Sequence, residues 1–178
     1  EEPPNIYVAC VNGVFKTGDC GQNWEKTFVT LATENGDDKE EVNDDIDEEE
    51  LFSGIRYISI DPNNLNNLYL ATSKGILKSH DKGQTWESVS GYGLLNNEVN
   101  FLLISPLSCI YAVTKTGIFE YKNDRWYELS IQLVAERVNL LSLDKQNNIY
   151  AACNNGLFKA SLNYCGGEGQ NNLTTIYY

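Results

Sequence analysis

An eight-residue phrase occurs twice in this chain, and it constrains the fold more than any other feature. Thr17-Gly18-Asp19-Cys20-Gly21-Gln22-Asn23-Trp24 returns as Ser79-His80-Asp81-Lys82-Gly83-Gln84-Thr85-Trp86. Both read Ser/Thr-x-Asp-x-Gly-x-x-Trp, and the same lead-in precedes both. Anchored on its tyrosine, that lead-in occurs four times: Ile6-Tyr7, Leu68-Tyr69, Ile110-Tyr111 and Ile149-Tyr150. A glycine follows six residues after each tyrosine (Gly13, Gly75, Gly117, Gly156), and two large apolar residues follow each glycine. Copies two to four lie about 40 residues apart, a period that belongs to radially repeated sheets. The first interval is longer, and its excess falls on one acidic stretch, 34–52.

Each repeat reads as a small antiparallel sheet. An apolar, branched segment leads copies two to four: Ile55–Ile60, Val99–Ile104 and Val138–Leu143. Turn residues such as Asp61-Pro62-Asn63-Asn64 and Asp144-Lys145-Gln146-Asn147 follow the first and last of these. Then come the Ile-Tyr strand, a turn through glycine and the Gly-apolar-apolar strand. Asn12-Gly13 and Asn155-Gly156 are expected to be the central pairs of two-residue hairpins. A fourth strand is expected at the tryptophan, over Trp24–Val29, Trp86–Ser90 and Trp126–Leu129. Four short strands per unit, with no helical period, predict an all-β chain: a single β-propeller domain over 1–178, built from four-stranded antiparallel blades. Its four recognisable repeats cover about 5–33, 53–92, 97–131 and 136–165.

The repeated phrase resembles the Asp-box, or BNR repeat, of sialidases, sortilin-type receptors and photosystem II assembly propellers. Thr17, Asp19, Gly21, Trp24 and Ser79, Asp81, Gly83, Trp86 match it closely. The third copy keeps Asp124 and Trp126 but is two residues shorter and lacks the glycine; the fourth has lost both Asp and Trp. These residues are read as structural. The carboxylate accepts backbone N–H groups in a tight turn, glycine supplies an unusual φ, and tryptophan fills the space between sheets. The resemblance also implies an extracellular or periplasmic setting.

The ends of the chain do not balance. The first repeat lacks its leading strand, and the last lacks a clear fourth strand. The tail 173–178 is the remaining strand candidate, with Ile176, Tyr177 and Tyr178 as self-association candidates. It can close the ring on the first blade or insert into a neighbouring molecule; alternatively the chain is part of a larger propeller. No leader-type segment opens the chain, as expected if one has been removed, and no apolar run is long enough for a membrane span.

Net charge is −12, of which residues 34–50 carry eleven acids against Lys39 alone. The rest is near neutral, which disfavours a nucleic-acid partner. The acidic stretch is read as a solvated loop; Asp37, Asp44, Asp45 and Asp47 are weak calcium candidates, without EF-hand spacing. No cofactor is expected. Five cysteines (Cys10, Cys20, Cys109, Cys153, Cys165) form no C-x-x-C pair. Cys10 and Cys153 are repeat-equivalent and awkward to pair. Cys20 and Cys165 can pair only if their loops approach, and the odd count leaves a thiol or an intermolecular bond. Asn172-Leu173-Thr174 is a glycosylation sequon.

Catalysis finds little footing. A sialidase-like site needs three converging arginines and a tyrosine–glutamate pair. The chain has only Arg56, Arg125 and Arg137, with Arg56 on an inner strand and Arg125 in a rim loop. His80, the single histidine, sits inside a box loop, and Glu25 and Glu87 are repeat-equivalent neighbours of the tryptophans. The expectation is a non-enzymatic scaffold that binds a protein partner or copies of itself. A glycan-binding or sialidase-like propeller is the alternative.

Overall fold

The structure is a computed structural model. It describes residues 4–10, 13–27, 54–89, 91–129, 138–146, 148–154, 156–161 and 174–176. These form strands and turns with no helix, arranged as four antiparallel sheets. The first sheet is β1 (Ile6–Cys10), β2 (Gly13–Thr17) and β3 (Glu25–Thr27). The second is β4 (Ile55–Ile60), β5 (Leu68–Thr72), β6 (Gly75–Ser79) and β7 (Glu87–Ser88). The third is β8 (Val99–Ile104), β9 (Ile110–Thr114), β10 (Ile118–Lys122) and β11 (Arg125–Glu128). The fourth is β12 (Val138–Leu143), β13 (Asn148–Cys153), β14 (Gly156–Ser161) and β15 (Thr174–Ile176). Strands lie in sequence order within every sheet. The leading strands β4, β8 and β12 pack in series, and β1, the Ile-Tyr strand of the first sheet, packs on β4, so the sheets follow one another in an arc.

Burial follows from alternation. Successive side chains of a strand point to opposite faces, and here both faces of the inner sheets are covered by neighbouring sheets. Leu68, Leu70 and Trp86 of the second sheet pack on Val14 of the first. Leu102, Ile110, Ala112, Phe119 and Trp126 of the third pack on Tyr69, Ala71 and Ile76 of the second. Val138, Leu141, Ile149 and Ala151 of the fourth pack on Phe101, Tyr111, Val113 and Ile118 of the third. Every residue of β5 and β9 is buried as a result.

Three features differ from the sequence expectation. The hairpin glycines are not in the central pairs expected at Asn12-Gly13 and Asn155-Gly156: Gly13 pairs with Cys10, Gly156 with Cys153 and Gly75 with Thr72, so each glycine opens the second strand and Ser73-Lys74 is the central pair of its turn; Asn12 and Asn155 lie outside the described residues. Gly75 then follows the turn at φ 135°, a region that other residues avoid, while Ser73 and Lys74 keep ordinary φ values. Secondly, the tail does not close on the first sheet. Thr174–Ile176 pairs antiparallel with Leu157–Lys159, so β15 completes its own sheet. Tyr177, Tyr178 and Asn172 lie outside the described residues, as do Asp37, Asp44, Asp45 and Asp47 of the acidic stretch. Thirdly, Cys109 is disulfide-bonded whereas Cys10, Cys20 and Cys153 are thiols. Cys20 is therefore not paired with Cys165, which is itself outside the described residues.

Candidate functional site

The two box loops are closed by their own side chains. Thr17 Oγ1 donates to Asp19 Oδ1 (2.6 Å) and accepts the Gly21 N–H (3.0 Å), while Asp19 accepts the Asn23 N–H (2.9 Å) and its side-chain amide (2.7 Å). In the second loop Asp81 Oδ1 accepts the N–H groups of Gln84 and Thr85 (both 2.9 Å), and Oδ2 accepts Thr85 Oγ1 (2.6 Å). Ser79 Oγ donates to Asp81 (2.8 Å) and accepts the Gly83 N–H (2.8 Å). Donors gathered on a carboxylate favour its ionised form. The Asn23 amide, with Thr17, holds Asp19 down to about 2. At Asp81 burial pushes upward, but the bonds from Thr85, Ser79 and Gln84 outweigh it and the pKa is lowered. These carboxylates are occupied in folding their loops.

Asp124 departs from the box. Asn123 and Asp124 have φ 51° and 57°, and Lys122 pairs with Arg125. With two residues fewer, the loop closes as a two-residue hairpin of the mirror-image type. Asp124 accepts only the Tyr121 hydroxyl (3.1 Å) among the described hydrogen bonds.

A second set of caps, at the turns between the first two strands of each repeat, escaped the sequence reading. Asp144 accepts Gln146 N–H (2.9 Å), Asn148 N–H (2.8 Å), the Asn148 side-chain amide (2.7 Å) and the Tyr150 hydroxyl (3.2 Å). Asn148 is the leading cause of its lowered pKa. Asp61 takes the same place with Asn63 and Asn67, and Ser105 with Leu107 and Cys109. The signal was an Asp or Ser directly after each branched run.

The same cross-strand rung recurs in every sheet, tyrosine against a charged residue: Tyr7–Lys16, Tyr69–Lys78, Tyr111–Glu120 and Tyr150–Lys159. The Lys78 and Lys159 ammonium groups lie 5.5 and 5.3 Å from the ring centroids of Tyr69 and Tyr150. Burial pushes Tyr69 up to about 12. In the third sheet Glu120 replaces lysine and is itself buried, and the Tyr111 hydroxyl donates to it at 3.3 Å. Burial raises the pKa of both partners.

The leading strands β4, β8 and β12 each carry a bulge at their second residue: Arg56, Asn100 and Asn139. A bulge re-aims its side chain, and it places a polar row near the axis. Arg56 donates to Asn100 and pairs with Glu98 at 3.8 Å, and Lys115 forms a close ion pair with the same carboxylate. Lys115 is the main cause of the lowered Glu98 pKa. Asn139 donates to Asn154 (2.9 Å). Arg125 sits on the outermost strand of the third sheet, exposed, and Arg137 lies outside the described residues. His80, also exposed, bridges Glu87 (2.8 Å) and Asn67 (3.2 Å). Among the described residues no three His, Cys, Asp or Glu side chains are grouped to hold a metal.

The first sheet breaks the pattern of burial. Ile6, Val8 and Trp24 are 44, 39 and 44 % exposed, whereas the equivalent Leu68, Leu70 and Trp86 are at 0, 0 and 1 %. In the third sheet Ile110, Ala112 and Trp126 are at 8, 0 and 4 %. The tryptophan of one sheet is buried by the preceding sheet, and among the described residues nothing precedes the first. Trp24 therefore does not fill an inter-sheet space. Among the described residues the outer edge of β1 also has no partner strand.

The arc superposes on solved β-propellers. The extracellular domain of BT4673 from B. thetaiotaomicron matches with a TM-score of 0.64 at 16% identity, over 100% of this chain and 21% of that one. The GH74 xyloglucanase from Xanthomonas campestris matches at 0.62 and 14% identity, over 98% of this chain and 23% of that one. YCF48 from Cyanidioschyzon merolae matches at 0.59 and 12% identity, over 96% of this chain and 55% of that one. At such identities the likeness shows the fold: this chain is a run of four β-propeller blades. It spans less than a quarter of the length of the first two proteins and about half of the third. No family model and no curated protein matches it. Among the described residues no helix is long and apolar enough to cross a membrane.

Proposed function

We propose that this chain is a non-enzymatic interaction or structural scaffold working outside the cytosol, which docks a protein partner or a copy of itself on the exposed face of its first blade. The exposure of Ile6, Val8 and Trp24, at positions that every later blade buries where it keeps them, carries this reading. A contiguous apolar surface of this kind marks an interaction site. The groups with catalytic chemistry support it too: Asp19 and Asp81 are spent on their loops, and Tyr111 and Glu120 on the core. The neighbours offer precedents: one is an extracellular domain, and a YCF48 structure is bound to D1 peptide.

The test is a photo-crosslinker placed at Val8 and, as a control, at Leu65, which is exposed on a turn. Protein adducts from an extract of the source cells should form at Val8 and not at Leu65. Equal yields at the two positions would refute the reading.

A second reading, glycan binding, draws on the Arg56–Asn100–Asn139 row and on the glycosidases among the neighbours. It requires that glucan oligosaccharides perturb the amide resonances of Asn100 and Asn139, and that Arg56→Ala abolish the effect.

A further inference from the structure

Two repeats have each given up a polar device, and each carries a cysteine there. The position two residues before the repeat tyrosine is Asn5, Asn67, Cys109 and Asn148 in turn. Asn67 and Asn148 donate their side-chain amides to the turn caps Asp61 (3.3 Å) and Asp144 (2.7 Å). In the third repeat the cap is Ser105, which accepts the N–H groups of Leu107 and Cys109, and the amide has given way to a sulfur. The fourth repeat has lost its box. Leu162 and Gly167 stand at the places of Asp81 and Trp86, counted from the tyrosine, and Cys165 stands between them at the place of Gln84.

Cys109 is disulfide-bonded, and Cys10, Cys20 and Cys153 are thiols. With five cysteines in the chain, Cys165 is the one mate left. Cys109 sits where such a mate can reach it. It directly precedes β9, is 7 % exposed and packs in the apolar cluster shared with Val138, Leu141, Ile149 and Ala151 of the fourth sheet. Ile149 pairs with Ala160, next to the last residue of β14. Five residues separate Ala160 from Cys165, a reach of up to about 17 Å. In the second repeat, whose box is intact, the corresponding loop does lie against the sheet before it: a Cβ at Gly83 would stand 3.6 Å from Thr27 of the first sheet.

We propose that Cys109 and Cys165 form a single disulfide, and that it does at the junction of the third and fourth sheets what the box tryptophan does at the junction of the first and second. Trp86 reaches back onto Val14 by packing; the fourth repeat, without that tryptophan, reaches back by a covalent bond. The oxidant is a small-molecule or protein disulfide. One cysteine thiolate attacks it, giving a mixed disulfide and releasing one thiol, and the second cysteine displaces the other thiol as the Cys109–Cys165 bond forms. Such a bond persists in an oxidising compartment. It involves neither the first sheet nor whatever docks there, so the docking reading and this bond can fail separately.

The test is a disulfide map of the full chain secreted into a bacterial periplasm, its thiols blocked with iodoacetamide in denaturant and the chain digested with trypsin without reduction. Cleavage after Lys82, Lys115, Lys145 and Lys159 puts Cys109 on peptide 83–115, Cys153 on 146–159 and Cys165 on 160–178. The expected result is one joined species, 83–115 with 160–178, and blocked thiols at Cys10, Cys20 and Cys153. A blocked Cys109, or Cys109 joined to any other cysteine of this chain or of a second copy, overturns the proposal. Thermal melts test the role at the junction. Reduction of the wild type, Cys165→Ser and Cys109→Ala should each lower the Tm by about 5–15 °C, and reductant should move neither variant further. Cys109 is buried, so if Cys109→Ala fails to fold, Cys165→Ser carries the comparison. A wild type that melts at one temperature with and without reductant, or a Cys165→Ser chain that reductant still destabilises, would show that this bond does not hold the junction.

Discussion

Asp81 and Asp124 make a controlled pair. Both are aspartates in the loop before a buried tryptophan, and sequence alignment of the repeats equates them. Asp81 accepts two backbone N–H groups, the Thr85 hydroxyl and the Ser79 hydroxyl, whereas Asp124 accepts a single tyrosine hydroxyl. Hydrogen bonds to a charged group contribute about 1.5–3 kcal/mol each when desolvated. Asp81 is only half-buried, so water recovers much of that on truncation, and loss of the comparable helix-capping contact costs about 0.5–2 kcal/mol. Asp81→Ala is therefore expected to destabilise the chain by about 2 kcal/mol, and Asp124→Ala by less than about 0.5 kcal/mol. For a chain of this size the first corresponds to a fall in Tm of about 4–8 °C. Urea unfolding followed by tryptophan fluorescence gives both values, with an unchanged m-value showing that stability alone has moved. Asp81→Asn should fall between wild type and alanine, since it keeps an acceptor and loses the charge. If Asp81→Ala costs no more than Asp124→Ala, the account of the box as a carboxylate-closed loop is wrong.

Trp86→Ala should cost about 3–5 kcal/mol in urea unfolding, and Trp24→Ala at protein concentrations too dilute for association less than about 1 kcal/mol, because only the former leaves a cavity between sheets. Glu120 has a raised folded pKa, so its contribution is fully present below the ordinary glutamate value of 4.5 and is lost as pH rises through the raised value. Glu120→Gln should accordingly be more stable than wild type at pH 7 and lose that slope in a pH series of thermal melts. Asp19 is depressed from 3.8 to about 2, so its contribution is present above pH 3.8 and is lost as pH falls toward 2. Asp19→Ala should flatten the acid limb of stability over that window, and an unchanged limb would show that Asp81, Asp144 and Glu98 account for it.

Strand boundaries were legible wherever a branched run was followed at once by a turn-former: β4, β8 and β12 begin and end at the residues that Ile55–Ile60, Val99–Ile104 and Val138–Leu143 mark out. The hairpin register was not. Asn-Gly suggests a central pair, but here glycine takes the position after the turn, and the pairing of Thr72 with Gly75 shows it in a repeat that has no asparagine. The bulges at Arg56, Asn100 and Asn139 were also hidden, because a bulge interrupts the alternation that strand reading relies on, and in β4 and β8 the flanking residues stay apolar. Trp24 and Trp86 illustrate the deeper limit. Their octapeptides match, their loops fold by the same bonds, and one side chain is buried while the other is exposed. That difference lies in what packs on the sheet from outside, which no local pattern encodes.

Glu120 shows how the same residues separate structure from chemistry. Three rungs pair tyrosine with lysine and one pairs it with glutamate, so the third sheet holds the tyrosine–carboxylate couple that a sialidase-like reading requires. To attack a substrate, a phenol must give up its proton readily to an ionised carboxylate within reach of that substrate. Tyr111 is buried at 1 % exposure and its pKa is raised by burial and by the Glu120 charge, which makes the proton harder to lose. Burial raises Glu120 as well, which favours the protonated acid over the base. Both shifts run against activation. The couple is better understood as the one rung in which a hydrogen bond inside the third blade replaces a lysine lying over the ring.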